Sequence, residues 1–168
     1  MQLSIRSSLS LFTLLSASVH GYLQNISLYA DSDNTEIDGK GLYTKHSGAG
    51  TDFFYLGTSA ESLVFDSETK HVYRAYGPQY EQYFASDNSG FVLMTVDDAI
   101  DVHFTQINGG KQYMSLGNST QEQGTFYACK NVNDPGHYST SSYELMYYAG
   151  ENVNKDSCVS IKVYRKVN

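Results

Sequence analysis

The chain has 168 residues, with 15 tyrosines, no tryptophan, two cysteines and a formal charge of −7 at neutral pH. That is one domain's worth of chain, long enough for a real hydrophobic core. An acidic chain without a basic cluster repels phosphate backbones, so no nucleic-acid partner is expected, and a polybasic membrane anchor is excluded on the same ground.

Residues 1–21 carry the pattern of a secretory signal peptide. Arg6 supplies the positive n-region, Leu9 to Leu15 is a short apolar run, and Ser16-Ala17-Ser18-Val19-His20-Gly21 is a small-residue exit. Val19 and Gly21 stand at −3 and −1 of a cut before Tyr22. The apolar run is too short to span a bilayer and no later one is long enough, so no transmembrane segment is expected. The expected organisation is therefore a signal peptide, 1–21, and a single all-β secreted domain, 22–168.

Short β-branched and aromatic runs broken by Gly, Asn, Asp and Ser mark strands, and sustained helical periodicity is scarce. In chain order, strands are expected near 26–30, 41–45, 53–57, 62–66, 71–76 and 82–86. Six more are expected near 91–96, 100–105, 112–116, 125–129, 143–148 and 157–165. Ser47-Gly48-Ala49-Gly50, Asp87-Asn88-Ser89-Gly90 and Asn108-Gly109-Gly110-Lys111 have the residues for positive-φ turns. In 157–165 the alternation aims Val159, Ile161 and Val163 at a core and Cys158, Ser160, Lys162 and Tyr164 away from it. Twelve short strands fit an antiparallel β-trefoil-like barrel or a β-sandwich, and the pattern does not choose between them.

Cys129 and Cys158 are an even pair on an exported chain, which implies one disulfide. Asn25-Ile26-Ser27 and Asn118-Ser119-Thr120 are N-glycosylation sequons, so Asn25 and Asn118 are expected glycan carriers.

Catalytic constellations are missing from the sequence. There is no G-x-S-x-G elbow, H-E-x-x-H or C-x-x-C, and no phosphate loop. Asp31 to Glu36 begins like a calcium loop, but Glu36 and Leu42 stand where Gly and Glu are required, so an Asx-rich turn is the reading. Asp97, Asp98 and Asp101 share one turn and cannot oppose each other across a sugar. No catalytic residue, metal or cofactor is expected. Tyr76, Tyr80, Tyr83 and Phe84 crowd around Gly77-Pro78; they either pack over the core rim or present rings for carbohydrate contact.

Leu28-Tyr29-Ala30-Asp31-Ser32-Asp33, followed by Ile37-Asp38-Gly39-Lys40-Gly41-Leu42-Tyr43, resembles the N-terminal region of small secreted cell-wall mannoproteins of Candida-type yeasts, many of them GPI-anchored. The likeness continues through His46 to Gly50 and Phe54 to Gly57, and resumes at Phe126-Tyr127-Ala128-Cys129-Lys130. A fainter likeness, to phialide-type wall proteins of filamentous fungi, rests on Val102-His103-Phe104. The resemblance implies a non-enzymatic secreted glycoprotein, a structural component of the fungal cell wall or surface, with wall polysaccharide or other wall proteins as partners. The alternative is a lectin-like carbohydrate-binding module or a secreted effector. A GPI signal needs an apolar tail, whereas Lys162, Arg165 and Lys166 interrupt the last stretch, so no GPI anchor is expected.

Overall fold

The computed structural model describes residues 21–76, 79–117, 124–149 and 155–168. The proposed signal peptide lies outside them but for Gly21, as do Gly77-Pro78 and the Asn118 sequon. Twelve antiparallel strands form one sheet. They are β1 (Leu23–Asp31), β2 (Gly41–His46), β3 (Asp52–Gly57), β4 (Leu63–Asp66), β5 (Val72–Tyr76) and β6 (Tyr80–Ser86). After them come β7 (Val92–Thr95), β8 (Val102–Gln106), β9 (Gln112–Leu116), β10 (Thr125–Cys129), β11 (Glu144–Tyr148) and β12 (Cys158–Val167). Each coincides with one of the runs expected from the sequence. Two short 3₁₀ turns, Tyr138–Thr140 and Lys155–Ser157, are the helical structure among the described residues.

The all-β single domain expected from the sequence is present, and its strands belong to one connected antiparallel sheet among the described residues. The pairings follow the trefoil pattern. β1 pairs with β12 and β4, β4 with β5, β8 with β9 and β9 with β12, while β2–β3, β6–β7 and β10–β11 are hairpins. Among the described residues no ladder joins β5 to β8, and the Val102 N–H donates 2.8 Å to the Lys70 carbonyl across that gap.

Burial explains why the alternation takes this form. Every strand gives at least one side chain to the main core, among them Leu28, Leu42, Phe54, Val72, Phe84, Val102, Leu145 and Ile161. β3 lies between β2, β7 and β11 and is covered on both faces. Phe54 and Leu56 enter the main core, while Phe53 and Tyr55 join Ala85 and Leu93 in a second cluster. Removing such side chains from water contributes about 1.5–3 kcal/mol each.

The turns behave as their residues dictate. Asn108 and Gly109 both have positive φ, 50° and 71°, and the Gly110 N–H closes onto the Ile107 carbonyl at 3.1 Å. Two successive positive-φ residues give a turn whose twist matches the flanking strands. Gly90 at φ 89° is required twice over, since a Cβ there would lie 2.4 Å from the Tyr148 ring.

The expected alternation holds in direction but not in exposure. Ile161 and Val163 are buried and Ser160 and Lys162 exposed, but Tyr164 and Arg165 are buried in succession. Tyr164 is covered from outside by Tyr29 and Tyr113, whereas Arg165 enters the core side against Phe65 and Phe104. Side-chain cover, rather than the pleat alone, decides exposure at these two positions.

Candidate functional site

The tyrosine group expected at the β5–β6 hairpin is only partly assembled. Tyr76 pairs with Tyr80 in register, and Tyr80 is 62% exposed. Tyr83 rests on Tyr73, ring centroids 6.0 Å apart, and its hydroxyl donates 2.6 Å to Glu81. Phe84 is corrected outright: it is fully buried, 5.3 Å from Phe54 in the core, and offers no face to a sugar. Strand alternation is the reason, since Tyr83 and Phe84 are neighbours and must point to opposite sides.

Cys129 and Cys158 form a disulfide that ties β10 to β12. Asn25 is exposed on β1, while Ser27 of the same sequon is nearly buried and exchanges hydrogen bonds with Asn168. The other chemical candidates stay apart. Asp97 and Asp98 are exposed in the turn after β7, and Asp101 lies 3.8 Å from His71. His46 bonds Asp52 at 2.6 Å. Among the described residues no group of three or more His, Cys, Asp or Glu is placed to hold a metal.

A different place combines binding chemistries. The end of β1, the turn after it and the middle of β12 enclose a cleft of about 340 Å³ lined by Asp31, Ser32, Asp33, Asp38, Ser160, Ile161 and Lys162. Asp31 and Lys162 face each other in the β1–β12 register. The turn is the Asx-rich one: the Asn34 side chain accepts from the Glu36 N–H at 2.9 Å, and Asp38 accepts from the Ser32 N–H at 3.2 Å. Asp31 accepts from the Lys111 ammonium and, at 2.5 Å, from the Tyr113 hydroxyl. These two bonds, Lys111 first, hold Asp31 below its ordinary value and so anionic. The same bonds raise Lys111 and Tyr113.

A row of tyrosines runs from this cleft across the sheet. Tyr29, Tyr164 and Tyr113 are successive register partners on β1, β12 and β9. Tyr29 and Tyr164 stack at 5.7 Å and 27°, and Tyr113 meets Tyr164 at 6.4 Å. Lys166 caps Tyr29 at 4.1 Å, Lys111 caps Tyr164 at 4.5 Å, and Lys162 lies 5.4 Å from Tyr113. Each such contact is favourable by roughly 0.5–1 kcal/mol at an exposed site. The cleft's carboxylates accept and its ammonium group donates, whereas the tyrosine rings beside it are covered by one another and by the lysines and so brace its wall. The sequence reading missed this site because its members lie at opposite ends of the chain and only the strand register unites them.

Among curated proteins the chain is similar to cell wall proteins of Candida albicans. It is 34% identical over 134 residues to cell wall protein RHD3, covering 78% of this chain and 62% of that relative. Identity to cell wall protein PGA30 is 28% and to cell wall protein PGA31 30%, each over 139 residues, 82% of this chain, and 48% and 45% of the relatives. The chain thus spans about half to three-fifths of the length of these relatives. No protein-family model matches the sequence, and no solved structure matches the chain. The relatives are proteins of the extracellular fungal wall, the location the sequence reading assigned. Over 78–82% of its length the chain is similar to these Candida albicans cell wall proteins.

Proposed function

We propose that the chain is a non-enzymatic secreted glycoprotein that serves as a structural component of the fungal wall. The observation that carries this reading is its similarity, over 78–82% of its length, to cell wall proteins. The domain agrees with it: one densely hydrogen-bonded sheet with a disulfide suited to an oxidising exterior. Maturation before Tyr22 and glycans on Asn25 and Asn118 belong to the same proposal. Fractionation of the producing fungus's walls with detergent, reductant and glucanase tests it. Enrichment in a wall fraction, with a mass shift on deglycosylation and an N-terminus near Tyr22, is expected; an intracellular, unmodified chain beginning at Met1 overturns it.

The Asp31–Lys162 cleft favours a second, compatible reading, that the domain holds wall polysaccharide directly. Its polar lining supports this. Pull-downs on β-glucan, chitin and mannan test it with two variants. Loss of binding in Asp33→Ala/Lys162→Ala with Tyr80→Ala unaffected assigns the contact to the cleft. The reverse assigns it to the β5–β6 hairpin, and absence of binding by the native protein removes the reading.

A further inference from the structure

Glu144 opens β11 and is register partner to Cys129 on one side and Tyr55 on the other. Directly opposed residues of an antiparallel ladder project from the same face, Cβ atoms roughly 4.5–5.5 Å apart. The carboxyl of Glu144 therefore stands between the disulfide and the Tyr55 ring. It is fully buried, and neither of its oxygens has a hydrogen-bond partner among the described residues.

The loop over this face begins and ends at the same place. Residues 130–143 run from Cys129 to Glu144 and dock through Asp134, itself fully buried. Asp134 accepts from the Tyr55 hydroxyl at 2.9 Å, the Tyr138 N–H at 2.8 Å, the Ser139 N–H at 3.0 Å and the Ser139 hydroxyl. Burial pushes Asp134 up, but these bonds outweigh it and hold it below its ordinary value, so it remains an anion. Three positive-φ non-glycine residues, Asn131, Asn133 and His137, give the loop a backbone of limited intrinsic preference, so docking holds it closed.

Two carboxyls thus face one tyrosine, and only one of them is provided with donors. We propose that Glu144 is a proton-held latch: neutral, it lets the 130–143 loop dock on Tyr55 beside the disulfide, and ionised, it drives the loop off Tyr55 and uncovers Cys129, the fully buried half of the Cys129–Cys158 bond, to reductants. The groups facing Glu144 are Tyr55 from β3, Asp134 from the loop and Asp87 from the turn after β6; Tyr148 lies further along β11. Lys45, on the same face, has its ammonium 5.1 Å from the Tyr55 ring and 4.2 Å from the Tyr138 ring. Burial first, then the charges of Asp134 and Asp87, push Glu144 up to about 8, and the Tyr55 hydroxyl, committed to Asp134, offsets this only in part. An anion formed there has only the Tyr55 hydroxyl to accept from, in competition with Asp134, so ionisation acts directly on the contact that docks the loop.

The test is the rate of disulfide reduction by a phosphine between pH 5 and 9, read by alkylation of the released thiols. Rates are divided by those of an unstructured disulfide peptide at each pH, which removes the reductant's own pH dependence. If opening follows ionisation, the rate rises about tenfold per pH unit until the midpoint and then levels. Glu144→Gln, which cannot ionise, should give a flat profile. Hydrogen exchange of the native protein supplies a measurement that needs no variant: after correction for intrinsic rates, protection of 130–143 should fall across the same interval while that of β1 and β12 holds. A flat native rate, a parallel rise in Glu144→Gln, or loop protection that does not change overturns the latch.

Discussion

The guanidinium of Arg165 lies 4.3 Å from the centre of the Phe104 ring and 5.0 Å from that of Phe65. Its Nε donates 2.6 Å to the Gln112 side chain, yet its Nη1 is buried with no partner among the described residues. The side chain contributes as a flat plate between rings more than as a charge. Arg165→Met, which keeps the apolar bulk and removes the orphaned donor, should change stability by less than about 1.5 kcal/mol. Arg165→Lys should cost roughly 1–3 kcal/mol, because an ammonium cannot stack and is strongly hydrated. Urea denaturation of both variants ranks them; a lysine variant more stable than the methionine one contradicts this account.

Arg74 does the opposite work. It forms ion pairs with Asp52 of β3 and Glu61, and its Nε donates 2.9 Å to Gln82 of β6. Gln82 in turn donates 2.8 Å to the Gly50 carbonyl. Both carboxylates are largely buried. Arg74→Ala should cost about 3–5 kcal/mol, since among the described residues it leaves Asp52 with His46 alone and Glu61 with Thr44 alone. The denaturation midpoint measures the loss, and a cost under about 1 kcal/mol, the level of an exposed pair, shows that the network is solvated in solution.

Stability should depend on pH through Glu144 with a definite sign. Its value in the folded protein, about 8, lies above its ordinary value of 4.5. Between these limits the folded state holds a proton that the unfolded state has released. The contribution is fully present below 4.5 and is lost as pH rises toward 8, on the order of 5 kcal/mol in all. Asp31 and Asp134 are shifted down, so their contributions are lost in acid instead. The melting temperature should therefore fall from about pH 5 to pH 8, and Glu144→Gln should flatten that slope. A native melting temperature that rises over the same interval refutes the assignment.

The strands were legible because each is a local pattern: β-branched and aromatic residues between turn formers, as in Phe53 to Leu56 and Val159 to Val163. The turn at Asn108-Gly109 was legible for the same reason. The site was not, because it depends on register. Nothing near Tyr29 says that Tyr164 will lie beside it, and nothing near Tyr55 says that Asp134 and Glu144 will share its face. Phe84 shows the complementary error. Clustering in sequence, Tyr80 to Phe84, was read as clustering in space, while the pleat sends Tyr83 outward and Phe84 into the core. Arg165 and Glu144 stayed hidden because a charged residue is read as exposed unless a partner is foreseen.

The disulfide should stabilise the domain mainly through the unfolded chain. Cys129 and Cys158 are already register partners on β10 and β12, and that ladder extends from Phe126–Ile161 to the cysteines themselves. Breaking the bond leaves those backbone pairings in place, so the folded state loses little. The unfolded state, by contrast, gains the freedom of a loop closed across 29 positions. In the chain-entropy account that freedom is equivalent to about 3–4 kcal/mol. Cys129→Ala/Cys158→Ala should therefore unfold at lower denaturant by that amount, with a somewhat steeper dependence on denaturant because its unfolded chain exposes more surface. Alanine is preferred to serine because Cys129 is fully buried and a hydroxyl there would need a partner. Equilibrium unfolding of the native and double-alanine proteins at pH 5, where Glu144 is neutral in the fold, separates this effect from the latch. An unchanged midpoint shows that the native bond returns no net stability, and its place in the protein is then to be sought in its exchange chemistry.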